Sequence, residues 1–222
     1  MGAFYPRAEN LPAEFPVFPL TGALLLPRGR LPLNIFEPRY LALVEDSLGA
    51  GRLFGMVQPN PLAPPSPVGP GLFRVGCLGR ISSFSETEDG RYLITLTGVV
   101  RFEIDHQLPL ERGYRRVRGR YDEFTADLDS SPPPIGLERE ALLDAVRGYF
   151  VRCGLEANWD AINRMADDVL VTTLCMACPF EPAEKQALLE APTDEDRGHA
   201  LLGLLQMGGI GATHCGVGPV TN

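Results

Sequence analysis

The stretch FPVFPLTGALLLPRGRLPLNIFEPRYLALVEDSL, residues 15–48, changes its period once, and that change sets the fold class. Residues 15–20 are short and apolar. Two further apolar runs fill 22–36, divided by Pro27, Arg28 and Gly29. Short apolar runs punctuated by Gly and Pro read as strands. From Glu37 the spacing lengthens. Pro38 suits a first helical turn, and Tyr40, Leu41, Val44 and Leu48 recur at i, i+3/i+4. Gly49 and Gly51 can end this helix.

Working outward, RLFGMVQP (52–59) returns to strand. NPLAPPSPVGPG (60–71) is a Pro-rich surface loop, because proline removes backbone donors and fixes φ. The runs 72–86 and 91–105 flank Asp89-Gly90, a strong short-range hairpin signal. In the second run Tyr92, Ile94 and Leu96 share one face at period two. His106 follows in a stretch read as a loop, and GYRRVRGRYDEF (113–124) reads as a last strand.

TADLDSSPPPIG (125–136) is a composition break, beyond which the period is helical. A helix over 137–152 puts Leu142, Leu143, Val146, Tyr149 and Phe150 on one side. A single helix over 158–177 carries Trp159, Ile162, Ala166, Val169, Leu170 and Leu174. Pro182 opens a short helix over 182–190, and Thr193 with Asp196 resembles a capping box that opens a fourth. The expected organisation is a β-rich lobe over 1–124, a helical lobe over 125–207 and a flexible Gly-rich tail over 208–222.

Composition narrows the function. The chain has 222 residues, 45% hydrophobic and 22% charged, enough to bury roughly 70% of the unfolded surface. No apolar run approaches the ~18 residues of a spanning helix, and the start MGAFYPRAEN has no signal-peptide pattern. Five scattered cysteines then read as reduced thiols in the cytoplasm. A net charge of −8 disfavours nucleic acid as a partner, since phosphate contact needs a positive field. The only lysine, Lys185, lies in a helical pattern and reads as solvent-facing. No phosphate-binding G-x-x-x-x-G-K-[ST] loop can be built from it, and a Ser–Lys dyad is disfavoured. Neither G-x-S-x-G nor H-E-x-x-H occurs.

The 15–48 stretch resembles the opening of the Lon protease amino-terminal domain family: F-P-L, a leucine-rich run into a turn, then P-L-x-I-F-E-x-R-Y entering a helix. FGMVQP (54–59), VGCLGRI (75–81), DGRYLITLTGVVRFEI (89–104) and PFEPAEKQALLEAPTDEDR (179–197) continue the similarity in order, over roughly 14–207. The resemblance implies an α+β fold: a β-rich, PUA-like pseudo-barrel lobe with one helix, then a bundle of about four α-helices. It implies a substrate-recognition role in a stand-alone form without the family's ATPase and protease domains. Labels such as ATP-dependent protease or peptidase S16 then claim more chemistry than these residues supply.

Three constellations compete for a function. Cys175 and Cys178 have the Cys-x-x-Cys spacing of metal or thiol-redox sites, but zinc wants about four ligands and only one pair is present. Among apolar neighbours the pair reads as core packing. In ERGYRRVRGRY, Arg116, Arg118 and Arg120 share a strand face, so strand 115–120 offers an RNA-binding alternative. Phe36, Arg39 and Tyr40 offer aromatic and cationic anchors for a peptide. Asp160, Arg164 and Asp168 at i,i+4 read as surface ion pairs. The reading that fits best is a non-catalytic protein-binding module in quality control or as an adaptor, without cofactor or membrane contact. Its partners would be unfolded or client proteins and peptides, with an intact Lon protease or another quality-control factor as a further candidate. Binding would use exposed apolar surface, a sheet edge or the crease between lobes.

Overall fold

The computed structural model describes residues 8–129 and 135–207. The tail expected to be flexible, 208–222, lies outside the described residues. The chain divides into two compact units, Met1–Pro132 and Pro133–Asn222.

The first unit contains β1 (Glu14–Pro19), β2 (Arg30–Ile35), α1 (Pro38–Gly49), β3 (Leu53–Val57), β4 (Val75–Glu86), β5 (Tyr92–Glu111) and β6 (Tyr114–Arg120). The strands order as β2-β5-β4-β3-β1-β6, and β5 also pairs with β6. The 20-residue β5 makes this closure possible. Its first part lies between β2 and β4, and its last part pairs with β6. The ring β5-β4-β3-β1-β6 therefore closes, and β2 stands outside it as an edge. All pairings are antiparallel except β1 with β3. Parallel neighbours need a long crossover, and α1 lies within it.

The barrel core gathers Phe15, Val17, Leu78, Val100, Phe102 and Val117, with Phe15 edge-on to Phe102 at 4.8 Å. A short 3-10 segment, Asp122–Leu128, packs on this unit. Asp127 is buried there and takes Arg101 Nε and Nη2, each at 2.9 Å, and the Arg101 amide at 3.0 Å.

Three expectations change here. Leu24, Leu25 and Leu26 are not a strand; they form a fully buried crossing segment. Gly98 of β5 permits the crossing, since a Cβ there would lie 1.9 Å from the Leu26 carbonyl oxygen. The buried stripe of α1 is Tyr40, Leu43, Val44 and Ser47, with Leu41 and Leu48 only partly covered. His106 lies within β5 rather than in a loop, exposed and 2.9 Å from Asp105. The Asp89-Gly90 hairpin forms as expected, with Gly90 at φ 79° and its N–H on the Thr87 carbonyl at 2.9 Å.

The second unit holds α2 (Arg139–Cys153), α3 (Trp159–Arg164), α4 (Asp167–Ala177), α5 (Pro182–Glu190) and α6 (Asp194–Met207). α6 packs against α2, α4 and α5. Leu142, Val146, Leu170, Leu174, Leu188 and Leu201 are among its buried side chains. Three starts are capped: Asn158 Oδ1 takes the Ala161 amide at 3.0 Å, Glu181 and Glu184 form a reciprocal box, and Thr193 Oγ1 takes the Asp196 amide at 3.0 Å. The single helix expected over 158–177 is broken in two, because Met165 and Ala166 are extended. Arg139 fills the break. Its guanidinium donates to the Ile162 and Asn163 carbonyls at 3.3 and 2.9 Å and pairs with Asp167. With the break, Asp168 leaves the register of Arg164, which instead donates to the Asp160 carbonyl at 2.9 Å. The expected i,i+4 ladder does not form.

Candidate functional site

The ends of β2, β5 and β4 lie in register: Ile35 beside Tyr92 beside Glu86, and Leu33 beside Ile94 beside Phe84. Strand side chains alternate between faces, so Leu33, Ile35, Tyr92, Ile94 and Phe84 share one face of this tip. Ile35 and Ile94 are buried there, and the Phe84 and Tyr92 rings meet at 5.0 Å. Phe84 nevertheless remains 41% exposed. Leu93, on the opposite face beside Asn34 and Ser85, is 46% exposed. Phe36 directly follows β2, is 40% exposed, and carries the Arg91 guanidinium 5.9 Å from its ring. The result is a small apolar tip, open on both faces and rimmed by charge.

α1 is fastened beside this tip. Tyr92 donates to Glu45 at 3.1 Å, and Arg112 reaches Glu45 and Asp46, each at 2.7 Å. Tyr114 donates to Asp46 at 2.8 Å. Burial, with that hydrogen bond donated to Asp46 next, pushes the Tyr114 hydroxyl well above the usual phenol range. These contacts hold the strand ends in place without covering Phe36, Phe84 or Leu93.

Of the three residues expected to bind a peptide, the structure brings Phe36 and Arg39 to the surface and turns Tyr40 inward. Tyr40 is 8% exposed and meets Phe18 edge-on at 4.1 Å. Burial raises its pKa, and the nearby Arg39 opposes this. Arg39 is committed to Glu37 at 2.8 Å and stacks 4.5 Å over the Tyr40 ring. Phe84 and Leu93 were missed. Their one signal was an apolar side chain at the hairpin end of each strand, Phe84 within the polar run Ser82–Glu86.

The arginine strand has a different role from the one its charge suggests. β6 is flanked by β1 and β5, so it is not an edge. Arg116 faces Glu111 at 3.1 Å, Arg118 faces Glu14 at 3.6 Å, and Arg120 faces Glu103 at 2.8 Å. Arg115 is buried and supports the Pro-rich loop, donating to the Pro70 carbonyl at 2.7 Å and to Gln107 at 2.6 Å. A row neutralised by its own carboxylates offers little field to a phosphate backbone.

Cys77, Cys175 and Cys178 are buried thiols outside any disulfide. Cys153 is disulfide-bonded, which corrects the reading of five reduced thiols. Burial pushes the thiols of Cys175 and Cys178 up to about 12. Lys185 is also buried, at 7% exposure, which corrects its solvent-facing reading. Its Nζ reaches the Met176 carbonyl at 3.5 Å, and burial lowers its pKa, with Cys178 opposing. Thiols this weakly acidic carry almost no thiolate at neutral pH, so the cluster is poor in nucleophile. Among the described residues, no three His, Cys, Asp or Glu side chains are grouped to hold a metal ion. Among them, too, no helix is long and apolar enough to cross a membrane.

The comparisons with known proteins agree on one family. A family model described as "ATP-dependent protease La (LON) substrate-binding domain" matches residues 14–207. Lon protease 1 of Bdellovibrio bacteriovorus is 28% identical over 199 residues, covering 86% of this chain and 24% of that protein. Lon protease 2 of Sorangium cellulosum is 32% identical over 114 residues, covering 51% and 14%. The chain thus spans 14% to 24% of the length of these curated relatives. The crystal structure of a Lon N-terminal domain protein from Xanthomonas campestris superposes with a TM-score of 0.56 at 24% identity, over 86% of this chain and 97% of that one. The N-terminal domain of a Mycobacterium avium complex Lon protease gives 0.56 at 17%, with the same coverage. These two likenesses concern the fold.

Proposed function

Because the chain belongs to the family of the ATP-dependent protease La (LON) substrate-binding domain, we propose that it is a non-catalytic module that holds exposed apolar segments of unfolded or client proteins. The observation that carries this reading is the apolar tip, where Phe36, Phe84 and Leu93 remain open on strands fixed by pairing and by the α1 clamp. Exposed aromatic anchors on a rigid support are the usual source of binding energy at such patches. Arg39 and Arg91 at the rim contribute orientation rather than affinity, since Glu37 and Asp89 already pair with them. The same reading gives the protein a role in quality control or as an adaptor, in the cytoplasm, with an intact Lon protease as a further partner.

The test is fluorescence anisotropy with a labelled, permanently unfolded peptide rich in Leu and Phe. The Phe36→Ser/Phe84→Ser variant is expected to bind at least about tenfold more weakly, at roughly 1 kcal/mol or more per anchor. Equal affinity of variant and wild type would remove the tip from the proposal.

A further inference from the structure

β2 is the terminal strand of its sheet, and β5 is its one strand partner among the described residues. A terminal strand invites pairing with another chain unless something blocks it. The direction of its backbone groups follows from two contacts. Gly98 of β5 donates to the Gly29 carbonyl at 2.8 Å and accepts from the Arg28 amide at 2.9 Å, so Gly98 faces the β2 side. Along an antiparallel ladder this alternates, and β2 runs in unbroken register from Arg30–Thr97 to Ile35–Tyr92. Leu96, Ile94 and Tyr92 therefore also face β2, while Thr95 faces β4. The second contact agrees: the Thr95 carbonyl accepts from Ser82 of β4 at 3.1 Å. Opposite Thr95 stands Pro32, whose backbone must then point to the free edge, as must those of Arg30 and Asn34.

At the centre of that edge the missing N–H of proline removes the donor an incoming strand would need. Its ring costs β2 nothing, because the position makes no bond to β5. Arg30, Pro32 and Asn34 are all exposed, so no other described segment covers this edge.

We propose that Pro32 closes the free edge of β2 to strand addition, by a second copy of this chain or by an extended client. Clients then contact the neighbouring tip through side chains and not through a continued backbone ladder. This second clause rests on the tip reading above; the first stands without it.

The experiment restores the donor with Pro32→Val in the full chain. Sedimentation velocity over a concentration series is expected to show the mass of the variant rising toward twice the wild-type value, where wild type stays flat. Amide exchange at Arg30 and Asn34 is expected to slow in step. Pro32→Ala carries the same N–H with less bulk and should show the same trend, covering the case where valine disturbs β2. Adding Asn34→Pro to Pro32→Val should abolish association. If both single variants sediment as wild type, or if the Asn34→Pro addition leaves the association intact, the proposal is overturned. Peptide binding separates the two claims. Association of Pro32→Val together with unaltered peptide affinity of Phe36→Ser/Phe84→Ser would keep the closed edge and discard the tip.

Discussion

Cys175 and Cys178 have the spacing of a reactive pair, yet they sit at the end of α4 inside the helical unit. Their raised pKa gives a prediction with a definite sign. The folded thiols ionise near 12, above the ordinary value of 9.0. Their contribution to stability is complete below pH 9 and is lost as pH rises toward 12, because only the unfolded chain releases the protons in that window. Tyr149, held up to about 12 by burial, acts in the same direction, and Lys185, whose pKa is lowered, opposes. At pH 7.5 the native protein should leave both thiols unmodified by a maleimide while the urea-unfolded chain reacts fully, as read by mass spectrometry. Fast native labelling of either one would contradict their core assignment. Arg101 with Asp127 shows the same logic for charge. Breaking so buried a pair costs about 3–5 kcal/mol, and no sequence pattern announces two residues 26 positions apart as partners.

Elements were legible where a local rule acts alone. The hairpin at Gly90, the Pro38 and Pro182 helix starts, and the box at Thr193 are all short-range chemistry, and all appear. Periodicity failed where a distant side chain intervened. Over 158–177 the apolar spacing supports one helix, but Arg139 from α2 takes the carbonyls of Ile162 and Asn163 and splits it. Such tertiary override is invisible to a window of neighbours. Arg139→Ala should therefore destabilise the helical unit by about 1.5–3 kcal/mol, the range for charged hydrogen bonds. The single tryptophan, Trp159, is the first residue of α3 and reports this directly in a urea titration. A midpoint unchanged from wild type would show that the break holds without Arg139. Leu24 to Leu26 misled for a related reason: a continuous apolar run can be a buried crossing as well as a strand.

For the whole molecule, the α+β architecture was readable from the change of period after Glu37 and from the composition break after residue 124, and the family from an ordered set of motifs. The candidate site was half readable. Phe36 was visible as an aromatic residue in a recognisable motif, but only register places Phe84 and Leu93 at the same strand ends, on opposite faces. Inward rotation of Tyr40 follows the i, i+3/i+4 stripe it shares with Val44, while its ring partner Phe18 is not connected to it by spacing. The central claim is that clients dock at this tip. Photo-crosslinking with an unfolded apolar peptide carrying a photoreactive phenylalanine tests it most directly. Crosslinks mapped by mass spectrometry should concentrate at residues 33–36, 84–86 and 91–93. Crosslinks confined to the helical unit, with none in those three segments, would contradict the account.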